Sequence, residues 1–121
     1  MLSKGRFDVT VWNKRAEPNG LIEVKTSVWG FKSLERDLNR LCATLEKAKM
    51  IRWGLVAYFL SYSDSKQALA KDRVKRASEL NFQNAVSHLE ESRNKVNHHR
   101  GSIRTDGDSA WTAEVLEVVR R

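Results

Sequence analysis

The chain has 121 residues, 40% of them hydrophobic and 31% charged, with 22 basic residues against 15 acidic ones and a formal charge of +7. That length holds one domain with a modest core, and the balance of apolar and charged residues excludes a fibrous or disordered chain. No apolar run approaches a membrane span, no amino-terminal stretch reads as a secretory signal, and a single cysteine, Cys42, excludes an internal disulfide, so a cytoplasmic protein with no membrane partner is expected.

Two short runs with alternating apolar and polar residues open the chain. Phe7, Val9 and Val11 alternate with Asp8, Thr10 and Trp12, and Ile22, Val24 and Thr26 alternate with Leu21, Glu23, Lys25 and Ser27. A period of two is the mark of a half-buried strand. Pro18-Asn19-Gly20 supplies turn chemistry between them, because proline presets φ and Asn or Gly tolerates positive φ. A β-hairpin over 6–27 is expected. With Trp12 facing Leu21, Asp8 would face Lys25 and Thr10 would face Glu23. Asp8 and Glu23 would then be diagonal neighbours about 7–8 Å apart, close enough to hold one small cation between their carboxylates. Mg²⁺ or Mn²⁺ suits such a place, since an ion of this kind takes oxygen ligands and needs only one or two protein carboxylates beside water and phosphate. Lys25 next to it would steady an attacking water or the charge growing on a phosphate. As a plain surface hairpin, the same residues would form cross-strand pairs worth about 0.2–1 kcal/mol each.

From Phe31 the pattern becomes helical. Phe31, Leu34, Leu38, Leu41, Leu45 and Ala48 recur at steps of three and four, predicting a helix over 31–49 that starts near Ser33, with Glu35 and Asp37 favoured in its first turn. Cys42 falls among these leucines and reads as a small core residue. The opposite face carries Lys32, Arg36, Arg40, Lys47 and Lys49. Ile51 to Tyr62 is almost continuously apolar and predicts a strand over 51–62 buried on both faces. Ser63-Asp64-Ser65 offers N-cap side chains, and helical character then extends over 64–98. Its stripe shifts from Ala70, Val74 and Ala77 to Phe82, Val86, Leu89 and Val96, so a break is expected near Glu79–Asn81. His98 and His99 read as exposed helix-end residues, and His88 has no evident partner. Gly101 to Ser109 is a loop, in which Asp106-Gly107-Asp108 lacks the spacing of a calcium site. Residues 110–119 are rich in β-branched and apolar side chains and predict a carboxy-terminal strand, with a helix as the alternative. The whole reads as one α/β domain over 1–121, a central mixed β-sheet flanked by helices.

The basic excess is uneven, about +5 over residues 1–62, +3 over 63–100 and −1 over 101–121. It accompanies the hairpin and the helices that follow, and it suggests a polyanion as partner. Lys32, Arg36, Arg40, Lys71, Arg73 and Arg76 are the candidate nucleic-acid contacts. Gly-rich phosphate loops, paired-cysteine zinc sites and Gly-x-Ser-x-Gly elbows do not occur.

At Asp8 and Glu23-Val24-Lys25 the chain resembles the PD-(D/E)xK nuclease superfamily. In that motif an Asp ends one strand, and Glu or Asp, any residue, then Lys lie on the next; Phe7 stands where the motif carries proline. The resemblance covers roughly residues 5–62, including the helix and strand after the hairpin, and implies a restriction-endonuclease-like core. It implies that Asp8, Glu23 and Lys25 are catalytic, that Asp8 and Glu23 ligate Mg²⁺ (or Mn²⁺) with the carbonyl of Val24 as a third ligand, and that Lys25 assists the attacking water. The implied activity is Mg²⁺-dependent hydrolysis of phosphodiester bonds in nucleic acid, DNA being the expected substrate. The helix and strand that usually precede the Asp strand in the family have no counterpart among the seven residues before Asp8, so a homodimer or a larger parent assembly is expected. The alternatives are a non-catalytic nucleic-acid-binding or regulatory module on the same scaffold, and a small protein-interaction domain.

Overall fold

A computed structural model describes residues 7–26 and 28–121. In chain order it contains β1 (Val9–Trp12), β2 (Pro18–Lys25), α1 (Lys32–Lys47), β3 (Trp53–Ser63), α2 (Ala70–Leu89), β4 (Asn94–Arg100), β5 (Arg104–Asp106) and β6 (Ser109–Arg120). The fold is α/β. The strands form one mixed sheet in the order β1-β2-β3-β6-β4, and β5 also pairs with β6. β2 and β3 are parallel and joined through α1, whereas β1/β2, β3/β6, β4/β6 and β5/β6 are antiparallel. Among the described residues no helix is long and apolar enough to cross a membrane.

The hairpin forms, in a different register from the expected one. Val9 pairs with Ile22, Thr10 with Leu21, Val11 with Gly20 and Trp12 with Pro18, with an irregularity between Val11 and Trp12. The turn lies earlier than Pro18-Asn19-Gly20, which instead begin β2. Asn13 closes it: its Oδ1 accepts the backbone N–H groups of Arg15 at 2.9 Å and Glu17 at 3.1 Å, and Ala16 takes a positive φ of 58°. Proline is tolerated at the first residue of a strand, where its missing N–H costs no ladder bond. The register is displaced by two residues, and an even shift keeps every side chain on its expected face. Arg6 and Ser27, the outer limits of the expected hairpin, lie outside the described residues.

Both helices cover the same face of the sheet. Leu34, Leu38, Leu41 and Leu45 of α1 are fully buried, as are Val74 and Ala85 of α2, against Val56, Leu60, Leu116 and Val118 from β3 and β6. Gly54 permits the closest approach; a Cβ there would sit 2.6 Å from Leu41 Cδ2. The alternate residues of the sheet, among them Val24, Phe59 and Trp111, have no helix over them and are 55%, 46% and 41% exposed. β3 is therefore buried on one face only. Its unbroken apolar run, read as a doubly covered strand, reflects an apolar face that stays open.

Three further expectations are corrected. α2 begins at Ala70 rather than near Ser63, although Asp64 Oδ1 accepts the Ala70 N–H at 2.6 Å and so caps the helix from a distance. α2 is unbroken across Glu79–Asn81, because Ser78 and Asn81 belong to its buried stripe with Ala70, Val74, Ala85 and Leu89; polar side chains fill the steps where the apolar pattern lapses. Residues 94–98 are strand, not helix. Asn94, Val96 and His98 turn toward the helices while Lys95, Asn97 and His99 turn away, and pairing with β6 fixes a segment of low intrinsic strand preference.

Candidate active site

The hairpin, β3 and α1 bring the expected residues together. Continuing the β1/β2 register sets Asp8 opposite Glu23, so the two carboxylates are direct rather than diagonal neighbours, with Lys25 two residues further along β2 on the same face. Asp8 Oδ2 accepts the Val24 N–H at 2.7 Å, and the Asp8 N–H lies 3.3 Å from Glu23 Oε1. In an extended strand the N–H and C=O of one residue point to the same side. The Val24 carbonyl thus turns toward Asp8, as a third oxygen beside the two carboxylates.

Helix α1 contributes two side chains that the sequence pattern did not assign to the site. Arg40 Nη1 donates to Glu23 Oε1 at 3.3 Å, and its guanidinium lies 4.1 Å above the Phe7 ring. Asp37, only 7% exposed, places Oδ2 at 3.0 Å from Lys25 Nζ. Arg40 thus lies beside the carboxylates on a half-buried part of α1, and Asp37 is a buried partner of Lys25 rather than a helix-dipole residue. The site holds three carboxylates and two cations. Burial raises the Glu23 carboxyl above the usual range, the neighbouring Asp8 charge raises it further, and Arg40 opposes both.

The donor chemistry fits a hard divalent cation. Asp8, Glu23 and the Val24 carbonyl are all oxygen donors, and the mutual crowding of Glu23 and Asp8 is the kind that such an ion relieves. Among the described residues no group of three or more His, Cys, Asp or Glu side chains converges as a ready-made cage, and two protein carboxylates suffice for an ion that keeps most of its waters.

Of the remaining candidate contacts, Lys32, Arg36, Lys71 and Arg76 are exposed on α1 and α2. Both helices cover the sheet face that carries the site, so these four belong to the same side of the molecule. Arg73 is half-buried; its Nη1 donates to the Ser63 carbonyl at 2.8 Å and its guanidinium lies 4.8 Å from the Tyr62 ring centre.

A second polar cluster continues across the sheet. Lys25 pairs with Tyr58, Tyr58 with Glu114, and Glu114 with Arg100, one residue per strand. Glu114, 2% exposed, accepts the Tyr58 hydroxyl at 2.6 Å and the Ser78 hydroxyl at 2.6 Å, and lies 3.1 Å from His98 Nε2. His98 stacks on Phe82 with ring centres 4.9 Å apart. Burial and the adjoining Glu114 push the Tyr58 hydroxyl far above its ordinary pKa. His98 and His99 are thus strand residues with carboxylate partners, Glu114 and Glu117, and His88 contacts Asn39 at 2.6 Å.

No family model, curated protein or solved structure matches this chain.

Proposed function

We propose that the chain is a divalent-metal-dependent phosphodiesterase acting on nucleic acid, with DNA as its expected substrate, of the kind that PD-(D/E)xK nucleases exemplify. One observation carries the reading: two opposed carboxylates and a lysine occupy one face of a hairpin, on the side of the molecule that presents Lys32, Arg36, Lys71 and Arg76. Asp8, Glu23 and the Val24 carbonyl would hold Mg²⁺ or Mn²⁺, and the ion would supply charge neutralisation at the phosphate and a more acidic water. Lys25 is the positioning cation. Asp37 fixes its ammonium beside the carboxylates, where it orients the attacking water and stabilises charge that develops on the phosphoryl oxygens. Hydrolysis adds the water oxygen to phosphorus and breaks one P–O ester bond; the water's proton passes to bulk base and the leaving oxygen takes up another. Arg40 restrains Glu23 so that its carboxylate stays aimed at Asp8. The single cysteine accords with a reducing, cytoplasmic setting.

A second reading has its own support. Glu23 with Arg40 and Lys25 with Asp37 form two closed ion pairs, an arrangement that also suits a non-catalytic nucleic-acid-binding module. Incubation with labelled single- and double-stranded DNA and RNA separates the two. A nuclease cleaves in Mg²⁺ or Mn²⁺ and is silenced by chelator and by Glu23→Ala. Salt-sensitive binding indifferent to chelator, with no cleavage, would replace it with the binding module.

A further inference from the structure

The face of the sheet turned away from the helices is a large apolar surface with its own relief. On it Val9, Ile22, Val24, Leu55, Ala57 and Val115 surround a ridge formed by Phe59 and Trp111, whose rings meet edge to face with centres 6.0 Å apart. Beside the ridge runs a groove of about 430 Å³ between Ala57 and Ala113, lined by Val24, Phe59 and Val115 and also by Lys25 and Arg100. On β2, β3 and β6 the only charged side chain of this face is Glu117, and it is held by His99 at 3.1 Å. The cations of this face stand at its outer edge, Arg104 on β5 opposite Trp111 and Lys95 on β4 opposite Val119. A second copy can cover the apolar middle while these cations stay at the rim.

We propose that this open face binds a second copy of the chain, in a twofold arrangement where the Phe59–Trp111 ridge of each copy enters the Ala57–Ala113 groove of the other. A ridge and a groove side by side on one surface are what an isologous interface requires, since each copy offers both halves of the contact. The dimensions suffice. Five strands spaced about 4.8 Å apart and the Trp53–Ser61 stretch at about 3.3 Å per residue give a face of roughly 24 × 27 Å. Two such faces bury on the order of 1,200 Å² together, above the roughly 1,000 Å² expected of a specific interface. Exposed apolar patches of this size are uncommon on monomers, and face-to-face packing of sheets about 10 Å apart is an established way to cover them. Asp8 and Glu23 belong to the opposite face, so the contact stands independently of the activity proposed above.

Sedimentation velocity and light scattering on the full chain at micromolar concentrations test it. The expected particle has twice the 13.9 kDa chain mass. Phe59→Asp removes the ridge and places a charge on the face. Ala57→Trp fills the groove while adding apolar surface, so its effect separates shape from hydrophobicity. Both positions are at least partly exposed, and circular dichroism reports whether each variant keeps its fold. Each folded variant should dissociate at concentrations at least about tenfold higher than wild type, as expected for residues central to an interface. A wild-type monomer throughout the range would overturn the proposal. A dimer that persists unchanged in either folded variant would overturn it equally, by showing that another surface makes the contact.

Discussion

Lys25 is half-exposed and among the described residues pairs with Asp37, so its replacement removes chemistry without hollowing the core. Lys25→Ala should lower metal-dependent cleavage by about 10²–10³-fold, the scale of losing one preorganised charge-stabilising donor, with an unchanged circular dichroism spectrum. Tyr58→Phe probes the neighbouring cluster. It deletes one of the hydrogen bonds on buried Glu114 and leaves the contacts from Ser78 and His98, so urea denaturation should show a loss of about 1–3 kcal/mol. At this scale Asp8, Glu23 and Lys25 were legible in the sequence, because strand alternation fixes the face even when the register moves by two. The sequence pattern marks Asp37 only as a first-turn residue and Arg40 only as a nucleic-acid contact, although a signal for burial exists at Asp37. It lies three residues after Leu34 and four before Leu41, beside Leu38 on the flank of the apolar stripe, and a carboxylate there implies a buried cationic partner. Only the tertiary fold identifies that partner as Lys25.

The elements are held by close approach between α1 and the sheet. Gly54 gives Leu41 its place, and Leu41 is fully buried. Gly54→Ala should destabilise the fold by about 1–3 kcal/mol through overpacking, measured as a lower urea midpoint with an unchanged slope. Gly20 plays a similar part on the open face, where the Trp53 ring lies over it. Helix α1 and strand β3 were readable because strong periodicity and a long apolar run leave few alternatives. β4 was not. Its segment Asn94-Lys95-Val96-Asn97-His98-His99-Arg100 contains one β-branched residue, and it becomes a strand because β6 offers a complete row of partners. The polar stripe positions Ser78 and Asn81 hid the continuity of α2 for a related reason: their burial is rewarded by partners elsewhere in the fold, Glu114 in the case of Ser78.

For the molecule as a whole, acid sensitivity should include a contribution from Glu117. A hydrogen bond from His99 holds its carboxyl below the ordinary value of 4.5. A carboxyl whose folded-state pKa is depressed binds fewer protons in the native state than in the unfolded one. Its stabilisation is present above pH 4.5 and is lost as pH falls through the depressed value. His99→Gln should flatten the acid limb of a plot of urea midpoint against pH. The sheet is covered on one side only: the helices, the carboxylates and Lys32, Arg36, Lys71 and Arg76 share that side, and an apolar face stays open on the other. The proposed divalent-cation site of Asp8 and Glu23 is read out by electron paramagnetic resonance of Mn²⁺ titrated into the protein. The expected result is one saturable Mn²⁺ per chain, displaced by Mg²⁺ and abolished by Asp8→Asn and by Glu23→Gln in folded protein. Mn²⁺ that remains entirely free, or that binds equally well in both variants, would contradict it.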